Sequence, residues 1–345
     1  MIFLNSHHRA GVDVMGLFNN KLPAIGIDLG TSNILVYLRN KGIVVNEPSI
    51  IAIDPKTQKV LAVGEKAKAM QGRTHAGIKM IRPIRDGVVV DFTATSALLE
   101  HYVKELTSKS IANRKPLIVI SIPTDLSTVE RRAVIDAALQ AGAKEAIVVE
   151  DTVASAIGAG LPVWEPTGSM IVDIGGGTTE VAIISLGGVV ASNSIKIAGD
   201  EMDRAIIKYV KSKHHLLIGE ATAELIKNNI FSVEQNGGMG IRGRDVVKGL
   251  PRKVELTATE IQEVLQETVD QINTVIRQTL ELTPPELAGD IIERGLLLSG
   301  GVALLPWLEK SISEATKLPV ILAENPLENV VRGTAKIIEG NNFVE

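Results

Sequence analysis

Val172-Asp173-Ile174-Gly175-Gly176-Gly177-Thr178-Thr179-Glu180-Val181 is the stretch of sequence that decides the fold. The apolar run that ends at Ile174 predicts a buried strand, and Val181 begins a second one. Between them lie three glycines, which let backbone N–H groups approach an anion such as phosphate closely. Asp173, near the end of the first strand, is suited to hold a hydrated Mg²⁺. An ordinary glycine-rich hairpin is the alternative for this stretch on its own.

A second copy of this pattern lies near the N-terminus. Residues 25–37 read Ile-Gly-Ile-Asp-Leu-Gly-Thr-Ser-Asn-Ile-Leu-Val-Tyr, again with a strand, an aspartate (Asp28), glycine, hydroxyl side chains and a second strand. Two such hairpins predict a duplicated fold whose halves face one nucleotide and hold its phosphates from opposite sides. Strands alternate with helices along the rest of the chain, which indicates an α/β fold.

The composition is that of a globular protein with room for two domains. The chain has 345 residues, of which 45% are hydrophobic, and this length allows two well-developed cores. A formal net charge of −4 argues against nucleic acid as a partner. The absence of cysteine excludes disulfides and thiolate metal sites. The sequence contains no run of 18 apolar residues, so no membrane-spanning helix is expected.

The first 21 residues form an N-terminal extension with two interpretations. They include apolar residues, but His7, His8 and Arg9 interrupt any secretory signal. The extension is either a frayed tail or a short anchor on a membrane surface. Met15 is an alternative start of the functional protein.

Several local signals predict where helices, strands and loops lie. Ser127–Glu130 and Thr257–Glu260 each have the pattern of a capping box at a helix start. Residues 117–123 form a continuous apolar run, which predicts a fully buried strand. Residues 64–87 predict a small inserted lobe, and the glycine-rich residues 235–249 predict a loop or mobile edge.

Five motifs follow one another in an order that resembles the actin/Hsp70/sugar-kinase superfamily of ATPases. They are the Asp28 hairpin, the small-residue helix after Glu150, the Asp173 hairpin, the turn at 299–301 and the closing helix with Gly333 and Ala335. The sequence is more specifically similar to the MreB family of bacterial actins, whose signatures it shares at residues 27–31, 172–180, 198–203, 249–253 and 284–287. The resemblance covers residues 22–340 and looks like that of a divergent MreB paralogue.

The resemblance implies an actin-like ATPase fold. Two related α/β domains of ribonuclease H-like topology would enclose a nucleotide cleft, and each would carry a smaller inserted subdomain. The implied division places subdomain IA at 22–52, 88–162 and 330–345, IB at 53–87, IIA at 163–199 and 255–329, and IIB at 200–254, after the extension at 1–21.

The resemblance also implies a site for Mg²⁺ with ATP or ADP. Asp28 and Asp173 would face the Mg²⁺ through its waters, and they share the implied catalytic set with Asp151 and Thr178. The residues that would bind the nucleotide are Gly30, Thr31, Ser32, Asn33, Gly175, Gly176, Gly177, Thr178, Thr179, Gly199, Glu224, Lys227, Gly300, Gly301 and Val302. Glu224 and Lys227 are three residues apart, so a surface ion pair between them is the alternative.

The sequence departs from the MreB pattern in three places. Where the family carries Glu-Glu-Pro, with the second Glu orienting the attacking water, this chain reads Glu150-Asp151-Thr152. Asp151 is then the candidate base, and slow hydrolysis is expected because its side chain is shorter. Val302 replaces the third glycine of the adenosine turn. The usual membrane loop at 108–114 has only Ile111 as a strongly apolar residue, so membrane attachment is expected through the N-terminal extension.

The expected function is a filament-forming ATPase of the bacterial cytoskeleton, with a role in cell shape, wall patterning or motility. Its expected partners are copies of itself, other MreB paralogues and the membrane surface, and its expected location is the cytoplasm, at the inner face of the cell membrane. A filament protein with negligible hydrolysis is the first alternative, and a small-molecule kinase of the same superfamily is the second. An Hsp70-like chaperone is not expected, because no peptide-binding domain follows.

Overall fold

A computed structural model describes residues 23–75, 77–108, 115–232 and 238–340. The predicted N-terminal extension, residues 109–114 of the predicted membrane loop and residues 341–345 lie outside the described residues, so the expectations about them stay predictions. Among the described helices, none is both long enough and apolar enough to cross a membrane.

The described ranges contain both strands and α-helices. The strands are β1 (Ala24–Leu29), β2 (Asn33–Leu38), β3 (Gly42–Pro48), β4 (Ile51–Ile53), β5 (Val60–Val63), β6 (Lys79–Ile81), β7 (Ile84–Arg85), β8 (Val88–Val89), β9 (Leu117–Ile122), β10 (Glu145–Glu150), β11 (Ser169–Ile174), β12 (Thr179–Ser185), β13 (Gly188–Ile195), β14 (Leu216–Leu217), β15 (Met239–Asp245), β16 (Pro251–Leu256), β17 (Leu296–Ser299) and β18 (Val320–Leu322). The α-helices are α1 (Glu65–Lys68), α2 (Phe92–Ser108), α3 (Thr128–Gln140), α4 (Asp151–Ala159), α5 (Gly199–His214), α6 (Glu220–Asn229), α7 (Ala258–Glu281), α8 (Pro285–Arg294), α9 (Leu308–Thr316) and α10 (Asn329–Glu339).

Two five-stranded sheets built on the same plan form the framework of the molecule. The first has the strand order β10-β9-β1-β2-β3, and the second has the order β18-β17-β11-β12-β13. In each sheet the first hairpin strand, β1 or β11, pairs antiparallel with the next strand of the chain. On its other side it pairs parallel with a strand that follows much later, β9 or β17. The predicted duplication of an α/β unit is therefore confirmed, while the exact subdomain boundaries stay predictions.

The duplicated hairpins place their aspartates at equivalent positions. Asp28 lies one residue before the end of β1, and Asp173 lies one residue before the end of β11. Asp28 pairs with Ser121 on the parallel neighbour, and Asp173 pairs with Ser299 on its own. Ligands of open α/β sheets bind at the carboxyl ends of the parallel strands. The fold therefore directs both aspartates to the kind of edge where a site is expected.

Each half also carries a small antiparallel sheet, with the orders β5-β4-β6 and β14-β15-β16. The second of these corrects the prediction of a loop at 235–249, because residues 239–245 form strand β15. Ile241 in this strand is buried in the hydrophobic core. A Cβ on Gly243 would lie 2.3 Å from the carbonyl oxygen of Leu217 in β14. This glycine permits close approach of two strands, a requirement that local sequence does not reveal.

Helices α4 and α10 pack on each other where the two halves meet. The hydrophobic cluster around them includes residues of both large sheets. The helices touch through glycines: a Cβ on Gly158 would lie 1.8 Å from the carbonyl oxygen of Asn329, and one on Gly333 would lie 1.8 Å from that of Ala154. The helix backbones therefore pack directly, without side chains between them at this point.

Both predicted capping boxes are confirmed. The hydroxyl groups of Ser127 and Thr257 accept hydrogen bonds from the N–H groups of Glu130 and Glu260, whose carboxylates accept from the cap N–H groups in return. Each cap contributes on the order of 1 kcal/mol to stability. They fix the starts of α3 and α7, the helices that cover one face of each half.

Candidate functional site

A cavity of about 530 Å³ lies between the two halves, beside both aspartate-tipped strands. Its volume is in the range of sites that bind small molecules. Among the described residues, every predicted site residue except Thr179 lines this cavity. They are Asp28, Gly30, Thr31, Ser32, Asn33, Asp151, Asp173, Gly175, Gly176, Gly177, Thr178, Gly199, Glu224, Lys227, Gly300, Gly301 and Val302.

Thr179 is the predicted nucleotide-binding residue that the structure does not bring to the cavity. It is fully buried as the first residue of β12, and its hydroxyl group donates a hydrogen bond to the carbonyl oxygen of Ile197 at 2.7 Å. Side chains alternate between the two faces of a strand. Thr178 therefore lies on the cavity wall, while Thr179 ties the hairpin to the segment before α5.

The two glycine turns both line the cavity, and they contact each other at its wall. A Cβ on Gly176 would lie 2.0 Å from the hydroxyl oxygen of Ser32, and one on Gly177 would lie 2.7 Å from that of Thr31. Thr31 also accepts a hydrogen bond from the N–H of Gly87 at 3.1 Å. The glycines are therefore required by the contact between the two hairpins, and they leave the backbone accessible to a ligand.

Besides Glu224, four carboxyl groups line the same cavity. Asp28 and Asp173 lie near the ends of the central strands, and Asp151 is the first residue of α4. Glu180, which the prediction did not include, lies in β12 directly opposite Asp173. Asp173 accepts a hydrogen bond from the hydroxyl group of Ser155 at 2.7 Å. The site therefore concentrates negative charge in one place.

Burial raises the pKa of all four carboxyl groups. The pKa of Asp28 lies well above its usual value because of burial and, secondarily, the charges of Asp151 and Asp173. Burial, with a contribution from the charge of Asp173, raises the pKa of Asp151 to about 7. Burial also raises the pKa of Asp173. The pKa of Glu180 is well above its usual value because of burial and the charge of Asp151. A cation bound here would offset this repulsion.

The carboxyl groups fit a divalent cation that keeps its water shell. Among the described residues, no three His, Asp or Glu side chains converge closely enough to hold a metal ion directly. Mg²⁺ usually keeps several waters and binds through one or two carboxylates. Oδ1 of Asp151 and Oε1 of Glu180 are buried and accept no hydrogen bond within the described part of the chain. Such oxygens suit hydrogen bonds from water molecules.

Glu224 and Lys227 line the cavity from α6, and each has a partner of its own. The Lys227 ammonium group donates to the carbonyl oxygen of Gly199 at 2.9 Å and pairs with Asp203 at 2.9 Å. Glu224 pairs with Lys68 of the first half at 3.0 Å. The alternative of an ion pair between Glu224 and Lys227 is therefore wrong.

The contact between Lys68 and Glu224 is one of several between the two small lobes. The side-chain amide of Gln71 donates to Glu220 at 3.1 Å. Arg82 pairs with Asp200 at 3.5 Å, so polar contacts extend along the cleft mouth.

Another part of the cavity wall is apolar. It is formed by Phe231, Leu304, Leu305, Pro306 and Leu327, beside the turn that contains Gly300 and Gly301. Gly300 has a φ of +87°, and a Cβ there would lie 2.3 Å from the carbonyl oxygen of Ile174. The turn therefore lies directly against the Asp173 hairpin. An apolar wall next to glycine suits a flat heterocycle such as a nucleobase.

Sequence reasoning missed three kinds of residue in this site. Glu180 stands inside the decisive stretch, and its position opposite Asp173 in a two-residue-period strand was a usable signal. Phe231 lies just after a helix whose apolar pattern suggests core packing. Lys68 reaches the cavity mouth only because the two lobes approach each other, and no local pattern reports that contact.

Comparison with known sequences finds relatives over nearly the whole chain. The MreB/Mbl protein family matches residues 22–345. The cell shape-determining protein Mbl of Bacillus subtilis (strain 168) is 46% identical over 318 residues, which cover 91% of this chain and 95% of that protein. The cell shape-determining protein MreB of Escherichia coli (strain K12) is 48% identical over 333 residues, which cover 94% of each chain.

Comparison with solved structures finds the same architecture. The crystal structure of MreB5 of Spiroplasma citri bound to ADP has a TM-score of 0.88 at 38% identity, covering 94% of this chain and 99% of that chain. The same protein bound to AMPPNP has a TM-score of 0.86. A MamK double helical filament has a TM-score of 0.77 at 20% identity, covering 92% of this chain and 98% of that chain, which shows a shared fold.

Proposed function

The chain belongs to the MreB/Mbl family and has the predicted actin-like fold, and from that premise we propose that it binds Mg-ATP in the cleft, assembles into cytoskeletal filaments and hydrolyses ATP slowly. The observation that carries the proposal is the pair of glycine turns, each next to an aspartate, that face each other across one cavity. Such turns are suited to bind phosphate from both sides.

The chemistry of the cavity supports a nucleotide as its ligand. Glycine turns suit the phosphates, and the apolar wall suits the base. The Spiroplasma citri structures contain ADP and AMPPNP, an ATP analogue with nitrogen in place of the β–γ bridging oxygen. At 38% identity over nearly the full length, these structures support the same ligand class here.

The carboxylates support a division of roles during hydrolysis. Asp28 and Asp173 would hold the waters of Mg²⁺, which when bound neutralises charge on the phosphates. Asp151 would accept a hydrogen bond from the attacking water, and Thr178 would lie beside the phosphate. Aspartate is shorter than glutamate by one carbon–carbon bond, about 1.5 Å, and a misplacement of about 1 Å can cost roughly 100-fold in rate. Slow hydrolysis follows from that difference in reach.

Assembly into filaments is supported by the family and by the fold. A head-to-tail contact between identical subunits that does not close into a ring gives an open filament. The MamK structure with the same fold is a double helical filament, and the similar MreB and Mbl proteins are named as cell shape-determining proteins. A role in cell shape through such filaments is the proposal for this chain.

Sedimentation and phosphate release, measured on the same samples, test the proposal. We expect the protein to sediment with ATP and Mg²⁺, and to release phosphate at a low rate. A protein that stays monomeric at high concentration with ATP, across a range of salt concentrations, would contradict the assembly. Sedimentation with ATP but without any phosphate release would favour the alternative of a filament protein that uses ATP as a structural ligand only.

Co-assembly with other MreB paralogues and attachment to a membrane surface complete the proposal, and both rest on the sequence. The attachment would use the N-terminal extension. Deletion of residues 1–18 should lower co-sedimentation with anionic liposomes. Equal co-sedimentation of the full-length and truncated proteins would contradict it.

A further inference from the structure

Glu180 is a buried carboxylate that lines the cavity, and the roles proposed for hydrolysis do not include it. It is 2% exposed and lies directly opposite Asp173 in the β11–β12 ladder. Like charges that face each other across two strands are destabilising. The duplication supplies an internal comparison, because the residue opposite Asp28 in the first hairpin is Leu35. The fold of the hairpin therefore does not require a carboxylate at this position.

The hydrogen bonds of Glu180 engage one oxygen and leave the other. Oε2 accepts from the N–H of Thr124 at 3.4 Å and from its hydroxyl group at 3.0 Å. Oε1 is buried and accepts no hydrogen bond among the described residues. The residue lines the cavity. A buried acceptor without a protein partner is costly, so it calls for an explanation at a functional site.

Asp151 presents the same feature on the neighbouring helix. Its Oδ1 is also buried and has no partner with hydrogen-bond geometry within the described ranges, and the residue lines the same cavity. The Ser121 hydroxyl group is near enough to lower the pKa of Asp151 in part, but it too has no partner with that geometry. The two acids are linked through their surroundings: the hydroxyl oxygens of Thr124 and Thr152 lie 3.2 Å apart. Thr124 holds Glu180, and Thr152 follows Asp151 in the chain. The two carboxyl groups are also close enough for the charge of Asp151 to raise the pKa of Glu180. One water molecule has two protons to donate to such a pair of acceptors.

We propose that Glu180 acts together with Asp151 to hold the water molecule that attacks the γ-phosphate. The inference rests on the proposed hydrolysis of ATP. The water oxygen forms a bond to the γ-phosphorus while the bond from that phosphorus to the β–γ bridging oxygen breaks, which yields ADP and inorganic phosphate. One proton of the water passes to a carboxylate of the pair, and the other stays on the phosphate. A second acceptor partly offsets the short reach of Asp151.

Removal of the charge at Glu180 tests the proposal. Glu180→Gln keeps an oxygen that accepts hydrogen bonds from Thr124, and the side chain keeps its length. We expect phosphate release at saturating ATP to fall about 100-fold, in the range for loss of a group that handles a proton in the transition state. ATP affinity should stay within about threefold, because the glycine turns and the metal-facing aspartates are untouched.

Glu150→Gln is the matched control. Glu150 is adjacent to Asp151 in the chain, but its carboxylate pairs with Arg131 at 2.9 Å. The substitution Glu150→Gln removes a negative charge near Asp151, and it changes no residue that lines the cavity. Phosphate release should stay within about threefold of the wild type. An equal fall in both variants would mean that the effect comes from charge near Asp151 or from a shift of Thr124, whose carbonyl oxygen accepts from Arg131 at 2.9 Å, and it would overturn the proposal.

The combination with Asp151→Glu separates a shared water from a structural role. The longer glutamate at position 151 would reach the water without help from Glu180. In the Asp151→Glu variant, Glu180→Gln should therefore lower phosphate release by about tenfold or less. Should Glu180→Gln fail to fold, Glu180→Leu, which copies the first hairpin, takes its place in the same cycle. Equal losses in both backgrounds, or no loss in either, would overturn the role of Glu180 and leave hydrolysis standing. A wild type without any phosphate release would overturn both.

Discussion

Substitution of Gly333 by alanine tests the direct contact between helices α4 and α10. The new Cβ would lie 1.8 Å from the carbonyl oxygen of Ala154, about 1.6 Å short of ordinary contact at 3.4 Å. A methyl group has no rotamer that avoids the clash, so the helices must move apart. Overpacking typically costs about 1–3 kcal/mol, and the better helix propensity of alanine returns about 1 kcal/mol. Because the obstacle is backbone, we expect a net loss of about 2 kcal/mol, which is a fall of several degrees in Tm.

Gly289 provides the matched control for this experiment. It lies inside α8, is exposed, and a Cβ there would meet nothing within 4 Å. Gly289→Ala should therefore raise stability by about 0.5–1 kcal/mol through helix propensity alone. Thermal unfolding followed by circular dichroism compares both variants with the wild type. If Gly333→Ala unfolds at or above the wild-type temperature while Gly289→Ala behaves as expected, the close packing of the helices is refuted.

Four further outcomes are expected. Asp151→Glu should raise phosphate release, by up to about 100-fold; an unchanged rate would mean that the backbone has adapted to aspartate. Asp173→Ala should weaken Mg²⁺-dependent ATP binding in calorimetry. If Mg²⁺ increases the ATP affinity of the variant as much as that of the wild type, the role of Asp173 is contradicted. Lys68→Ala, which removes the 3.0 Å contact with Glu224, should change stability by less than about 1 kcal/mol yet speed nucleotide release in stopped-flow fluorescence, unlike Lys66→Ala. Burial keeps the pKa of Asp151 near 7, so the folded protein binds a proton that the unfolded chain releases, and stability in urea should fall as pH rises from about 4 to 7; Asp151→Asn should flatten that slope.

The parts of the fold that depend on short-range signals could be predicted from the sequence. The two hairpins can be predicted because apolar runs, aspartate and glycine follow one another within about a dozen residues. The capping box at Thr257 is equally local, since the residues that bond each other are three apart. The duplication then brings both aspartates to one cavity, because equal hairpins occupy equal places in equal sheets.

The parts that failed depend on contacts between distant segments. The glycine-rich residues 235–249 look like a loop or mobile edge, yet residues 239–245 form strand β15. Its Gly243 passes close to β14. Thr179 looks like a phosphate ligand, yet strand alternation turns it into the interior. The pairing of Lys68 with Glu224 joins residues that are 156 positions apart. The constraints on Gly243 and Lys68 leave no pattern within their own stretches of sequence, whereas the burial of Thr179 follows from the alternation of its strand.

The contact between the two glycine turns has a consequence for how the molecule closes. Gly176 and Gly177 already touch Ser32 and Thr31, with no room for even one additional carbon atom. Steric contact between the turns therefore limits how closely the two halves can approach each other at this point. The shortest distance between the two turns is therefore set by the protein and not by a ligand in the cavity. If the cavity binds a nucleotide as proposed, a change from ATP to ADP would leave the closest approach of the two turns unchanged at this point.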